Sequence, residues 1–150
     1  MKALIQRVTE ARVDVSGQLV GQIKQGLLVF LGVEKRDTEQ DAEWLLNRLL
    51  HYRIFADEAG KMNLGLQQSG GGLLIVSQFT LAADTRKGLR PGFSSAADPT
   101  RGELLYNYFL SLAHACHSPV ASGRFGANMQ VQLTNDGPVT FMLESPLTRI

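Results

Sequence analysis

The stretch Leu27-Leu28-Val29-Phe30-Leu31-Gly32-Val33, introduced by Gly26, decides the fold, because it is an apolar run of strand length with no polar residue to mark a solvent face. Such a run suits a strand covered on both sides, in the middle of a sheet. Leu73-Leu74-Ile75-Val76 has the same character and reads as a second inner strand. Upstream, Leu4, Val13, Val15, Leu19, Val20 and Ile23 recur in short β-branched runs about Ser16-Gly17-Gln18, which predicts an opening hairpin.

Between the two inner strands the period changes. Ala42, Leu45, Leu46, Leu49 and Leu50 form a helical stripe, with Asp37 or Thr38 as N-cap and an end near His51. Ile54-Phe55 suggests a short strand closed by the turn Asp57-Glu58-Ala59-Gly60, and Gly70-Gly71-Gly72 a tight reversal. The glycine-rich Gly65-Leu66-Gln67-Gln68-Ser69-Gly70-Gly71-Gly72 lacks a Walker lysine and the GxGxxG spacing, so it reads as a hairpin loop.

After the second inner strand, Ala82 to Asp98 is the longest stretch without periodicity, a kind of loop that often carries function. Asp98 as N-cap and Pro99 at the first helical position start a second helix through Leu104, Leu105, Tyr108, Phe109, Leu112 and Cys116. Alternation over Ala127 to Thr134, the turn Asn135-Asp136-Gly137-Pro138 and the run Val139 to Leu143 predict two strands flanking a polar turn. There is no repeat and no linker, so residues 1–150 read as a single α/β domain.

A chain of 150 residues buries roughly 70% of its unfolded surface. Apolar residues at 44% and charged residues at 19% argue against disorder, collagen-like repeats and coiled coil. A formal charge of +1 supplies no global field for a nucleic-acid backbone, so a polyanionic partner has to be held locally. One cysteine, Cys116, excludes an internal disulfide framework and a multi-thiolate metal site within one chain. The opening MKALIQRVTEARVDV has no signal-peptide core, and no apolar stretch reaches the roughly 18 to 20 residues of a membrane span. A soluble, cytoplasmic protein that avoids membranes is the expectation.

The usual nucleophiles find little support. Cys116 falls on the apolar stripe of its helix and reads as a packed core cysteine. His114 and His117 are three apart but have no nearby acid, and His51 ends the other helix, so no metal site is expected. A GxSxG elbow is missing. Two segments remain. Ser77-Gln78-Phe79-Thr80-Leu81, at the end of a buried strand, offers hydroxyl, amide and backbone N–H groups that suit a carbonyl oxyanion; it also reads as a strand end whose hydroxyls satisfy loop backbone. In Asn135-Asp136-Gly137-Pro138-Val139-Thr140 a Gly-Pro bond can be cis at modest cost and leaves carbonyl oxygens free to accept, though a plain hairpin turn has the same composition.

With Met1-Lys2-Ala3-Leu4-Ile5-Gln6-Arg7-Val8 and Gly123-Arg124-Phe125-Gly126-Ala127-Asn128-Met129, these two segments occur in an order that resembles, along essentially the whole chain, the D-aminoacyl-tRNA deacylase family. The resemblance implies a mostly antiparallel, barrel-like sheet with two main helices, in a homodimer without cofactor or metal. It implies hydrolysis of the ester between a D-amino acid and the 3′-terminal adenosine of tRNA, with glycine as an achiral substrate. Gly137-Pro138 of one subunit, held by Arg7, would enter the other subunit's pocket, where its carbonyls bind the substrate ammonium and an L side chain would collide with the turn.

By the same resemblance, the backbone N–H groups of Phe79 and Thr80 are the oxyanion donors, Ser77 and Gln78 fix the terminal ribose, and Phe125 and Met129 line the pocket. An activated ester with a neighbouring ribose hydroxyl needs only orientation and oxyanion stabilisation, which accounts for a site without a triad. Arg86, Lys87, Arg90 and Arg101 either hold tRNA phosphates or form a solvated basic loop. DNA is not an expected partner. An inactive tRNA-binding module and a small-molecule hydrolase or isomerase are the rival readings.

Overall fold

The computed structural model describes residues 1–146. Strand β1 (Lys2–Val15) passes through Ser16 and Gly17, with φ of 50° and 78°, into β2 (Gln18–Ile23). Two successive positive φ values match the twist of a tight hairpin, which is why glycine follows serine here. The strand β3 (Gly26–Gly32) then pairs antiparallel with the first half of β1, whose second half pairs with β2.

The first inner run is β3 and the second is β6 (Gly72–Ser77); they pair in parallel, and β6 in turn pairs in parallel with β7 (Val120–Ser122). Both runs are covered on both faces, as their composition predicts. Leu27, Val29, Leu31, Leu73 and Ile75 point into a core shared with the helices, while Leu28, Leu74 and Val76 point into a second core with Val8, Ala11 and Val13. The period of two sorts one continuous apolar run into two cores. The sheet order is β2-β1-β3-β6-β7, with β8 along the free edge of β1. Gly21 of β2 approaches β7 so closely that a Cβ there would stand 2.5 Å from the Ser122 oxygen, so the sheet nearly closes into a barrel.

A parallel pair needs a crossover. From β3 to β6 it consists of α1 (Glu39–His51), the small hairpin β4 (Phe55–Ala56) with β5 (Met62–Leu64), and α2 (Leu66–Ser69). Thr38 is the N-cap of α1, its backbone N–H donating to Asp41 Oδ2 at 2.8 Å. The glycine-rich 65–72 segment is therefore not a hairpin loop. It holds one helical turn, ended by Gly70 at φ 72°, and leads into a parallel strand. Glycine is required where β3 and β6 begin side by side: a Cβ on Gly26 would lie 2.0 Å from the Gly72 oxygen.

The second crossover, from β6 to β7, is a 3-10 turn (Phe79–Ala82), the long loop and α3 (Pro99–Cys116). Asp98 caps α3 by accepting from the Arg101 N–H at 3.0 Å. The buried face of α3 is Gly102, Leu105, Tyr106, Phe109 and Ala113. This corrects two expectations: Leu104 is 61% exposed, and Cys116 is exposed in the final turn with its Sγ donating to the Leu112 oxygen, so it is not a core cysteine.

The largest departure is at the end of the chain. Residues expected to form two strands of a hairpin are one strand, β8 (Gln130–Glu144), and both halves pair antiparallel with β1. Val8 faces Asn135 and Gln6 faces Thr140, so between these pairs β1 contains only Arg7 while β8 contains Asp136, Gly137, Pro138 and Val139. The segment is a wide bulge that leaves the sheet and returns in the same direction.

Candidate active site

A cleft of about 630 Å³ opens at the C-terminal ends of the parallel strands β3 and β6. Helices α1 and α3, which follow these two strands, pack in the same core, and the crevice lies where the chain leaves the strand ends. Leu31 and Val33 come from the end of β3, Ser77, Gln78 and Phe79 from the end of β6, and Asp98, Pro99 and Gly102 from the start of α3. Tyr106 and Phe125 pack at 5.6 Å between ring centroids and form an apolar wall.

The polar groups of the cleft are few and fixed. Gln78 donates its backbone N–H to the Leu31 oxygen at 2.8 Å, which ties the end of β6 to β3, and its side-chain amide bonds to the Thr80 hydroxyl. Phe79 and Thr80 open the 3-10 turn, so their N–H groups have no acceptor within that turn. Both residues are exposed, and the Phe79 ring, 63% accessible, lies tilted against Phe93 with centroids 5.3 Å apart. The buried Tyr106 hydroxyl donates to the Ile75 oxygen at 2.9 Å; burial pushes its pKa up, so it remains a neutral anchor.

One rim of the cleft is the 33–38 loop, fastened to the 95–97 segment by Lys35 N–H to the Ser95 oxygen at 3.0 Å and Ala97 N–H to the Val33 oxygen at 3.1 Å. Beneath it the Met1 ammonium is buried against Asp37 Oδ1 at 2.6 Å and Ser145 Oγ at 2.8 Å. The other Asp37 oxygen accepts from Glu34 N–H at 2.6 Å, and the Asp37 backbone oxygen accepts from Arg101 at 3.1 Å. Burial pushes the Asp37 carboxyl up while the ammonium and the Glu34 N–H pull it down, burial being the larger effect.

Of the residues singled out in the sequence, Ser77, Gln78, Phe79 and Phe125 meet in the cleft, with Thr80 next to it. Met129 does not line it: its side chain packs against the second core, beside Gly123, with its sulfur accepting from Arg124 N–H at 3.4 Å. Gly137 and Pro138, joined by a cis peptide, are also outside the cleft of their own chain. Arg7 holds their bulge, donating from Nε to the Asp136 oxygen at 2.9 Å and from Nη1 to the Ile54 oxygen at 2.8 Å. In the basic loop Arg86 is paired with Asp84 at 2.7 Å, and Arg101 is turned toward Asp37. Among the described residues no His, Cys, Asp and Glu group could hold a metal ion, and no helix is long and apolar enough to cross a membrane. Phe93, Tyr106 and Asp37 escaped sequence reasoning: Tyr106 carries no signal beyond the helical stripe, Phe93 sits in an aperiodic loop, and Asp37 reads only as a cap.

Fold and cleft together define a class: a one-domain α/β protein with an apolar pocket at the end of a parallel strand pair, provided with a few amide and hydroxyl groups. The family model described as D-Tyr-tRNA(Tyr) deacylase matches residues 4–144. A D-aminoacyl-tRNA deacylase of Stutzerimonas stutzeri is 65% identical over 97% of this chain and 100% of its own length, and one of Pseudomonas putida strain GB-1 is 62% identical over 96% and 99%. The solved structure of a c-Myc DNA unwinding element binding protein superposes with a TM-score of 0.93 at 41% identity, covering 97% of this chain and 99% of that one. A probable eukaryotic D-amino acid tRNA deacylase shares the fold, with a TM-score of 0.83 at 19% identity over 95% and 98% of the two chains. The chain belongs to the D-Tyr-tRNA(Tyr) deacylase family and is an enzyme.

Proposed function

We propose that the protein hydrolyses the ester of D-aminoacyl-tRNA, releasing the free D-amino acid and a tRNA with its terminal hydroxyl restored. The observation that carries this reading is the 65% identity to a D-aminoacyl-tRNA deacylase over 97% of this chain and the whole of that one. The cleft fits the chemistry. Water adds to the ester carbonyl, the Phe79 and Thr80 N–H groups hold the oxyanion, and collapse breaks the bond to the ribose oxygen, which leaves with a proton. Ser77 and Gln78 orient the ribose, whose neighbouring hydroxyl assists the water, and Phe125 packs against the ligand.

Selection against L-amino acids falls to a second copy of the chain. The Gly137-Pro138 bulge is held rigidly by Arg7 yet stands outside its own cleft, so in a homodimer it is available to the partner subunit's cleft. Carbonyl oxygens there accept the substrate ammonium, and an L side chain collides with the bulge. Glycyl esters, being achiral, pass this test.

Purified protein incubated with D-tyrosyl-tRNA, L-tyrosyl-tRNA and D-tyrosine ethyl ester is expected to cleave only the first. Loss of none indicates a binding module, and equal loss of the free ester indicates a small-molecule hydrolase. Thr80→Ala is expected to keep kcat/KM within about tenfold of the wild type, because one side-chain hydrogen bond is worth up to ~1.4 kcal/mol. Losing an oxyanion donor costs on the order of 100- to 1,000-fold. Single-turnover deacylation at the larger loss would place the hydroxyl, not the backbone, in the reaction.

A further inference from the structure

A second groove, of about 700 Å³, lies at the C-terminal end of α1, between Trp44, Arg48, Tyr52, Arg53 and Phe141. Its character is unlike that of the cleft. Arg48 and Arg53 are exposed, neither makes an ion pair among the described residues, and no acidic residue lines the groove. The Arg48 guanidinium lies 4.7 Å over the Trp44 ring, and Tyr52 meets Phe141 edge to face at 5.6 Å. Unpaired cations beside partly accessible aromatic faces are what a nucleic-acid strand needs: the cations meet phosphates, and the rings meet bases or riboses. In a chain of net charge +1 this is a local positive patch.

Its position is informative. Ile54 lines the groove, and its backbone oxygen accepts from the same Arg7 that holds the Gly137-Pro138 bulge. One side chain therefore ties the groove wall to the bulge. The chain's own cleft is at the other end of α1, beside the 33–38 rim, and a helix of 13 residues separates the two by about 20 Å. We infer that the Trp44–Arg53 groove binds the acceptor-arm backbone of the tRNA whose 3′ end occupies the partner subunit's cleft. The inference rests on the homodimer reading above: a subunit that lends its bulge brings its groove to the mouth of the partner's cleft.

The test uses the exposed pair, Arg48→Ala with Arg53→Ala, in the full chain, with circular dichroism to establish that the fold is kept. Binding of uncharged tRNA is measured across a salt series, and turnover is measured with D-tyrosyl-tRNA and with D-tyrosyl-adenosine. The double variant is expected to raise Kd and KM on the order of tenfold and to make the log affinity against log salt slope shallower by about 1.4 to 1.8, two phosphates' worth. The kcat on tRNA and all turnover of D-tyrosyl-adenosine should stay unchanged. An unchanged Kd and slope, an equal loss on D-tyrosyl-adenosine, or displacement of tRNA by duplex DNA as effective as by tRNA itself would each overturn the assignment. A wild type that binds tRNA without cleaving D-tyrosyl-tRNA defeats the deacylase reading instead, while the variant's Kd still judges the groove.

Discussion

Alanine at Gly137 is expected to lower kcat/KM for D-tyrosyl-tRNA by about 100-fold or more, the penalty of displacing a positioning group by roughly 1 Å. The residue has φ of 143°, a region that L side chains rarely adopt. A Cβ there would also lie 2.6 Å from Val139 Cγ2, 3.1 Å from the Val139 nitrogen and 3.3 Å from Arg7 Nη2. Two of those neighbours define the bulge and the third anchors it, so relief of the clash shifts the carbonyls to which the proposed function assigns the substrate ammonium. Gly17→Ala is the control: φ is 78° in the first hairpin and nothing lies within 4 Å of the added carbon. It carries a left-handed backbone cost of roughly 1 kcal/mol without any clash and should leave turnover intact. Equal rates for wild type and Gly137→Ala, measured on folded protein, would remove the bulge from the site.

The expectation of a hairpin at this place failed for a reason that lies in pairing. Asn135, Asp136, Gly137 and Pro138 are turn formers whether the chain reverses or only leaves the sheet and rejoins it. What decides is that the segments on both sides pair with β1, and no local residue encodes that. By contrast Leu27 to Val33 and Leu73 to Val76 were legible because their composition reports burial on both faces, and α1 and α3 because caps and period agree. Cys116 shows the limit of the periodic argument: it lies on the expected stripe, yet the covered face follows Gly102, Tyr106 and Ala113.

The site divides in the same way. A polar Ser77-Gln78 following an apolar strand is readable, since polarity at the end of a buried strand has to be satisfied by something. The wall opposite, Tyr106 and Phe93, is not, because aromatic residues in a helical stripe or a loop look the same whether they face a core or a ligand. Nor could sequence order reveal that the two signature segments are apart within one chain.

Alanine at Asp37 is expected to destabilise the protein by about 3 to 5 kcal/mol, the cost of leaving a buried charge without its partner. The Met1 ammonium is fully buried, and Asp37, 2.6 Å away, is itself only 7% exposed. Glu34 is no substitute at 3.3 Å and 19% exposure, and Ser145 carries no charge. The substitution also strips the acceptor from the Glu34 N–H, so a backbone donor is orphaned with the ammonium. Glu34→Ala, which removes the longer and wetter contact, should cost about 1 kcal/mol or less. Urea unfolding checks the pair: the midpoint should fall far more for Asp37→Ala than for Glu34→Ala, with the slope unchanged in both. Equal midpoints would mean that the ammonium finds water or a new partner, and that the cleft rim over it does not depend on this contact. If the large difference is found, residual activity of Asp37→Ala at low temperature should show a raised KM with kcat kept, because the 33–38 rim shapes binding and makes no contact with the reacting ester in this reading.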